Sequence, residues 1–263
     1  DLQAAVVRLV EFEADRFLRQ APKSSLRNDT GAEENAWNAL ITSLACNMMP
    51  AHPRAKDWEE ASIRYLYNTF SVAADAKDAT PGDGGRRIKE WVTTVNAHDD
   101  FTVENHGLVH MGYLKNAVSE LEENTLPWLI AGRKVPAACG HHQREVFELL
   151  IDCMAWDGGP VYFAGTDWKS YHEHCCEIVL YTMLSVLTAD RRAAFLESTA
   201  LEWLTRQQQA EGGYYNVRRD PEYGGLCATR LIVCCLAHGL MGPPPEPITA
   251  AEFDRLATGT RHL

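Results

Sequence analysis

Residues 32–49 read Ala32-Glu33-Glu34-Asn35-Ala36-Trp37-Asn38-Ala39-Leu40-Ile41-Thr42-Ser43-Leu44-Ala45-Cys46-Asn47-Met48-Met49, and Pro50 follows. Trp37, Leu40, Ile41, Leu44 and Met48 recur at three- and four-residue intervals. That is the period of one helix face, and the proline ends the run. Leu2 to Arg19 repeats the pattern through Val6, Val7, Leu9, Val10, Phe17 and Leu18, with Pro22 beyond it. Ala55 to Phe70 does so again through Trp58, Ala61, Ile63, Leu66 and Phe70, so three amphipathic helices are predicted in the first seventy residues.

From Ser71 to Glu104 the period fails. Pro81, Gly82, Gly84 and Gly85 lie in a polar run, and Trp91 to Val95 has the composition of a strand. An irregular stretch this long inside a compact domain usually carries function. Helices resume at about Met111–Asn124, Gln143–Ala155, Tyr171–Leu187, Arg192–Gln209, Leu226–Leu240 and Thr249–Ala257, joined by Gly- and aromatic-rich links at 155–170 and 211–225. Nine helices and almost no alternating segments predict an all-α chain. Helix, short link, helix, long link is the rhythm of stacked helical hairpins. An α/α toroid, partial or open because nine helices fill only four to five hairpins, is the expected architecture, as a single domain over 1–263 with a long functional loop at about 71–104.

Composition narrows the function classes. The 263 residues are 46% hydrophobic, enough for a core, and 25 basic against 36 acidic side chains leave a net charge of −11. That balance argues against a nucleic-acid binder with a broad cationic face, and any polyanionic ligand must find a local basic pocket. No run approaches eighteen uninterrupted apolar residues, so a soluble protein without a membrane span is expected. The eight cysteines include the adjacent pairs Cys175-Cys176 and Cys234-Cys235 in apolar runs and form no C-x-x-C knuckle, which favours reduced thiols. Because residue 1 is Asp rather than Met, the compartment, cytoplasmic or secreted, is left open.

Four polar constellations stand out. His98-Asp99-Asp100-Phe101-Thr102-Val103-Glu104-Asn105-His106-Gly107, with His110 beyond, brings an amide, an imidazole and carboxylates together. Asn105 suits stabilisation of an anionic oxygen, and His106, with an ordinary pKa near 6.5, suits proton abstraction. Equally, Asn105 suits a helix cap and His106 a bond to a backbone carbonyl. Gly165-Thr166-Asp167-Trp168-Lys169-Ser170-Tyr171-His172 places Tyr171 in the first turn of a helix, where the positive helix end favours a phenolate; the alternative is a packed ring with Asp167 as N-cap. Glu34, Trp37 and Asn38 share a face of the second helix and fit either a cleft wall or, for Trp37, the core, with Glu33 an ordinary first-turn acid. Gly212-Gly213-Tyr214-Tyr215-Asn216-Val217-Arg218-Arg219 is a turn whose Tyr214 and Arg218 suit a sugar ring and a carboxylate, or simply a solvated surface.

Metal signatures are weak. His106 with His110 and His172 with His174 have chelating spacings, but no H-E-x-x-H or cysteine frame accompanies them, so no metal is expected. Asp99, Asp100 and Glu104 form a D-D-x-x-x-E string that suits magnesium held against an isoprenoid diphosphate, as in a terpene-synthase-like enzyme. No later carboxylate string answers it.

Thr102-Val103-Glu104-Asn105-His106-Gly107 resembles the Asn-Asn-His-Gly segment of toroidal polysaccharide lyases, the alginate lyase and heparinase II/III-like groups, with Glu104 in place of the first Asn. Gly165-Thr166-Asp167-Trp168 leading into Tyr171-His172 is similar to their Asp-Gly-Ser and Tyr-His segment. The resemblance implies β-elimination on an acidic, uronate-containing polysaccharide without a cofactor. In that reading Asn105 neutralises the uronate carboxylate, His106 assists or acts as base, Tyr171 moves the proton, and Glu34, Trp37, Asn38, Trp168, His172, Tyr214 and Arg218 bind substrate. Trp203–Gln209 followed by Glu211-Gly212-Gly213-Tyr214 resembles the Gln-rich, Gly-Gly-aromatic turns of prenyltransferase and triterpene cyclase toroids. A non-catalytic toroidal binding or scaffold module is the remaining alternative.

Overall fold

The computed structural model describes residues 1–154, 161–165, 173–213 and 221–260. The described chain is mostly helical, as the periodicity predicts. It divides into two compact units, Asp1–Val146 and Phe147–Leu263.

The first unit contains α1 (Leu2–Leu18), α2 (Ala32–Met48), α3 (Ala55–Tyr67), α4 (Met111–Glu123) and the short α5 (Leu126–Ile130), and the division falls within α6 (Gln143–Asp152). Asp1 starts α1 by accepting the Gln3 N–H at 3.0 Å, which satisfies one of the donors a helix start leaves open. Val10 and Ala14 of α1 then pack with Ala45 and Cys46 of α2, Trp58 of α3 and Trp128 of α5. Helix α2 is central, touching α1, α3, α4 and α5. Its buried positions are mostly small (Ala32, Ala36, Ala39, Ser43, Ala45), which lets neighbouring backbones approach. Ser43 hydrogen-bonds Ser62 of α3 and Asn124 after α4, and Asn124 donates to the Ala36 carbonyl at 3.0 Å.

The irregular 71–104 stretch holds three short 3-10 helices, Ala73–Lys77, Asp83–Gly85 and Ile88–Glu90, and no strand at 91–95. The expected strand fails because a side chain takes the place of a partner strand. Asn68 Oδ1 accepts the N–H groups of Thr93 at 2.8 Å and Thr94 at 3.0 Å, while its Nδ2 donates to the carbonyls of Arg64 at 2.7 Å and Trp91 at 2.9 Å. Two further buried asparagines extend the lattice. Asn35 donates to the Lys23 and Asn68 carbonyls, and Asn96 donates to the same two carbonyls while accepting the Ser25 N–H. Gly31 abuts it closely enough that a Cβ there would stand 2.7 Å from Asn96 Oδ1. Buried backbone groups must find partners, and here asparagine side chains provide them.

The second unit contains α7 (Glu173–Thr188), α8 (Arg191–Ala210), α9 (Pro221–Met241) and α10 (Ala250–Thr260), with α7 packed on α8 and α9. Glu197 of α8 accepts Thr182 Oγ1 at 2.8 Å and Ser185 Oγ at 3.0 Å from α7 and pairs with His238 Nε2 of α9 at 2.6 Å. Asp190 caps α8 through the Arg192 and Ala193 N–H groups. Among the described residues, Cys46, Cys153, Cys234 and Cys235 are outside any disulfide. One helix bears on the expectation of no membrane span without deciding it. Over Gly224–Met241, α9 is long and apolar enough to cross a membrane by length and composition, with 28% of that window buried. Counting uninterrupted apolar residues passes over it because Arg230 and His238 break the run.

Candidate functional site

Within the polar stretch 98–110, which leads into α4, residues 104–109 fold as a hairpin. β1 (Glu104–Asn105) pairs antiparallel with β2 (Leu108–Val109), in the register Asn105 to Leu108. His106 and Gly107 form the two-residue turn, with φ of 51° and 79°. Positive φ at both central positions is the type I′ geometry that matches strand twist. The alternative reading of Asn105 as a helix cap is thereby removed. His110 takes that part for α4, its Nδ1 accepting the Tyr113 N–H at 3.0 Å.

The hairpin is tied to the segment preceding α2. Glu104 Oε2 accepts the Asn28 N–H at 2.7 Å, its Oε1 stands 2.9 Å from His98 Nε2, and its carbonyl accepts the Thr30 N–H at 2.8 Å. On the return strand side, the Gly107 N–H donates to the Asn28 carbonyl at 2.8 Å. Asn105 is 2% exposed, whereas His106 at the turn faces solvent. Asp100 Oδ1 accepts the Thr102 N–H at 3.0 Å and Thr102 Oγ1 at 2.7 Å. In the D-D-x-x-x-E string, then, Asp100 and Glu104 are engaged in local hydrogen bonds, and the string lies on a turn and a strand instead of one helical face.

The start of α2 carries the companion groups. Glu33 is buried and hydrogen-bonds the Tyr113 phenol. Burial, reinforced by Glu33, Glu34 and Asp29, pushes that phenol far above its ordinary pKa, so Tyr113 holds its proton. Glu34 pairs through Oε1 with Lys23 Nζ at 3.1 Å, while its Oε2 is buried without a hydrogen bond. Trp37 is 47% exposed and so is not a core residue; Asn38 beside it is half-buried. Asn105, His106, Glu34, Trp37 and Asn38 all fall within the first unit. Trp168, Tyr171, His172, Tyr214 and Arg218 lie outside the described residues.

A second polar centre in this unit was not singled out by sequence. Asp75, His141 and His142 present donor atoms within 4.8 Å of one another. His142 Nε2 lies 2.9 Å from Asp75 Oδ1 and 3.0 Å from Oδ2, and His141 Nε2 lies 3.4 Å from Oδ2. The Val72 N–H donates to Asp75 Oδ2 at 2.8 Å. Burial would raise the Asp75 carboxyl, but the two imidazoles and the Val72 N–H outweigh it and hold the group well below the usual carboxylate range. His141 Nε2 is buried and, although 3.4 Å from Asp75 Oδ2, makes no hydrogen bond of good geometry.

Local structure explains how neighbouring imidazoles meet one carboxylate. His142 has φ of 60°, a left-handed conformation that few non-glycine residues adopt, between the 3-10 turn Ala137–Gly140 and α6. Asp83 anchors that 3-10 turn by accepting the Ala137 and Ala138 N–H groups, each at 2.9 Å, together with the Tyr67 hydroxyl at 3.0 Å. The Tyr67 ring meets His141 edge-on, with centroids 5.1 Å apart, and Phe101 covers His142 at 4.8 Å. Asp75, His142, Phe101, Lys77, Asp78 and Asp99 line a groove of about 690 Å³. The adjacent histidines just before a helical period were the sequence signal for this centre. Asp75 gave none, being one carboxylate in an irregular stretch. Comparison of the chain with protein-family models, with curated proteins and with solved structures finds no match to any of them.

Proposed function

We propose that the chain is a carbohydrate-active lyase, built on an α/α toroid, that cleaves an acidic, uronate-containing polysaccharide by β-elimination. The supporting observation is the hairpin, which holds Asn105 buried and sets the His106 imidazole out at a turn pinned to the start of α2. Abstraction of the proton on the carbon beside a uronate carboxylate builds charge on that carboxylate. An amide donor that stabilises the charge is the larger requirement, and an imidazole able to take the proton near neutral pH is the second. The electron pair left on carbon forms the double bond, the glycosidic C–O bond breaks, and the leaving oxygen takes a proton, the part assigned to Tyr171. Exposed Trp37 supplies a flat apolar surface on which a sugar ring stacks, with Glu34 and Asn38 on the same face for its hydroxyls. The chemistry draws on side chains alone and calls for no redox cofactor.

Incubation with a panel of uronate polymers, read by the ultraviolet absorbance of the unsaturated product, tests the proposal. His106→Asn tolerates the left-handed turn yet removes the imidazole, and is expected to lower kcat/KM by about 10²–10⁴-fold. Asn105→Ala is expected to cost about 10²–10³-fold. Absence of product from every polymer, or unchanged turnover in His106→Asn, removes the lyase assignment.

A further inference from the structure

We propose that Asp75, His141 and His142 form a binding site for a first-row divalent transition metal ion, zinc in the first instance. Tetrahedral zinc with bonds near 2.0–2.2 Å sets neighbouring donors about 3.3 Å apart. Here the donor separations about Asp75 are 2.9, 3.0 and 3.4 Å, close to that spacing before any ion draws them together.

The second, independent observation is His141. It is 9% exposed, its Nε2 makes no hydrogen bond and stands 3.4 Å from Asp75 Oδ2, and that nitrogen belongs to the donor cluster. Hydrogen bonds to the carboxylate account for His142 but leave the buried His141 Nε2 with a 3.4 Å contact that lacks hydrogen-bond geometry, whereas a metal ion satisfies all three residues together. Asp75 retains its Val72 N–H bond through Oδ2, which orients the carboxylate while Oδ1 remains available. Two imidazole nitrogens with one carboxylate oxygen suit zinc, iron(II) or cobalt(II); magnesium and calcium, which take oxygen ligands, do not match the set. Asp75 and His142 line the groove while His141 approaches from the buried side, so three protein ligands leave a coordination position directed to the groove for water or an anionic ligand group.

The site stands apart from the lyase assignment, because neither Asn105 nor His106 takes part in it. The untagged full chain, stripped with chelator and dialysed, is titrated with Zn(II) against a chromophoric competitor and separately with Co(II), whose visible ligand-field bands report tetrahedral nitrogen and oxygen coordination. The expected result is one ion per chain, weakened at least about tenfold in His142→Ala and in His141→Ala and retained in His52→Ala. Circular dichroism verifies that each variant is folded. Asp75 also caps its own turn, so the histidine variants carry the test. A chain that takes up no zinc, or one whose affinity and cobalt spectrum are unchanged from the unmodified chain in both histidine variants, leaves only a histidine–carboxylate ion pair and overturns the proposal whether or not any uronate polymer is cleaved.

Discussion

Asn68 shows how much one buried amide can determine. Its two N–H groups and its oxygen serve four backbone groups at Arg64, Trp91, Thr93 and Thr94, and Thr94 Oγ1 also donates to it at 2.8 Å. Removing the amide leaves the buried Trp91 carbonyl and Thr94 N–H without partners, each at a cost of about 1–3 kcal/mol, and weakens the part-buried Arg64 and Thr93 groups as well. Asn68→Ala is therefore expected to lower the unfolding free energy by at least about 3 kcal/mol in a urea titration, with hydrogen exchange accelerating first at Thr93 and Thr94. A loss below about 1 kcal/mol would mean that the asparagine lattice does not hold the 91–97 segment. At this scale the sequence was unevenly legible. Asn105 and His106 stood out because they adjoin other polar groups in sequence. Asn35, Asn68, Asn96 and Asp75 act on partners far along the chain, and a single polar residue does not announce a long-range partner.

Among the elements, the helices were the readable part and the hairpin was not. A face repeating every three or four residues is a signal spread over many positions, so α2 was placed to within a residue and α4 likewise. The helix α5 is too short to show a period, and the strands of the hairpin contribute two residues each. The turn signal was present in His106-Gly107 but was read as part of a catalytic motif. What fixes this hairpin is Glu104. The Asn28 N–H and then His98 stabilise its ionised carboxylate and hold its pKa below the ordinary 4.5. A group depressed in the folded state contributes stability that is fully present above its unfolded pKa and is lost as pH falls through the lower folded value. The tie between the hairpin and residues 28–30 is thus expected to loosen below pH 4.5, seen as faster exchange of the Asn28 and Gly107 N–H groups, with Glu104→Gln showing a weaker tie at neutral pH and a flatter acid limb. Equal acid limbs in the two proteins would assign the loosening to another carboxylate.

For the whole molecule, fold class followed from periodicity while the meeting of distant segments did not. The Asp75 centre joins residues 66 positions apart (141 minus 75), and no local pattern announces that meeting. Net charge is a whole-chain property that sequence does supply, and it bears on the lyase proposal through its sign. A molecule of charge −11 and a uronate polymer repel at long range, so capture depends on short-range contacts made after the repulsion is overcome. Screening length falls from about 30 Å at 0.01 M salt to about 8 Å at 0.15 M. Long-range repulsion fades over that interval, while a contact formed at hydrogen-bond distance is much less affected. The expected outcome is that kcat/KM on the cleaved polymer rises with salt between those concentrations, opposite to an enzyme that steers its substrate by complementary charge. A steady fall over the same interval would show instead that a local cationic surface captures the polymer from a distance, and would shift the binding assignment away from Glu34, Trp37 and Asn38 towards basic side chains.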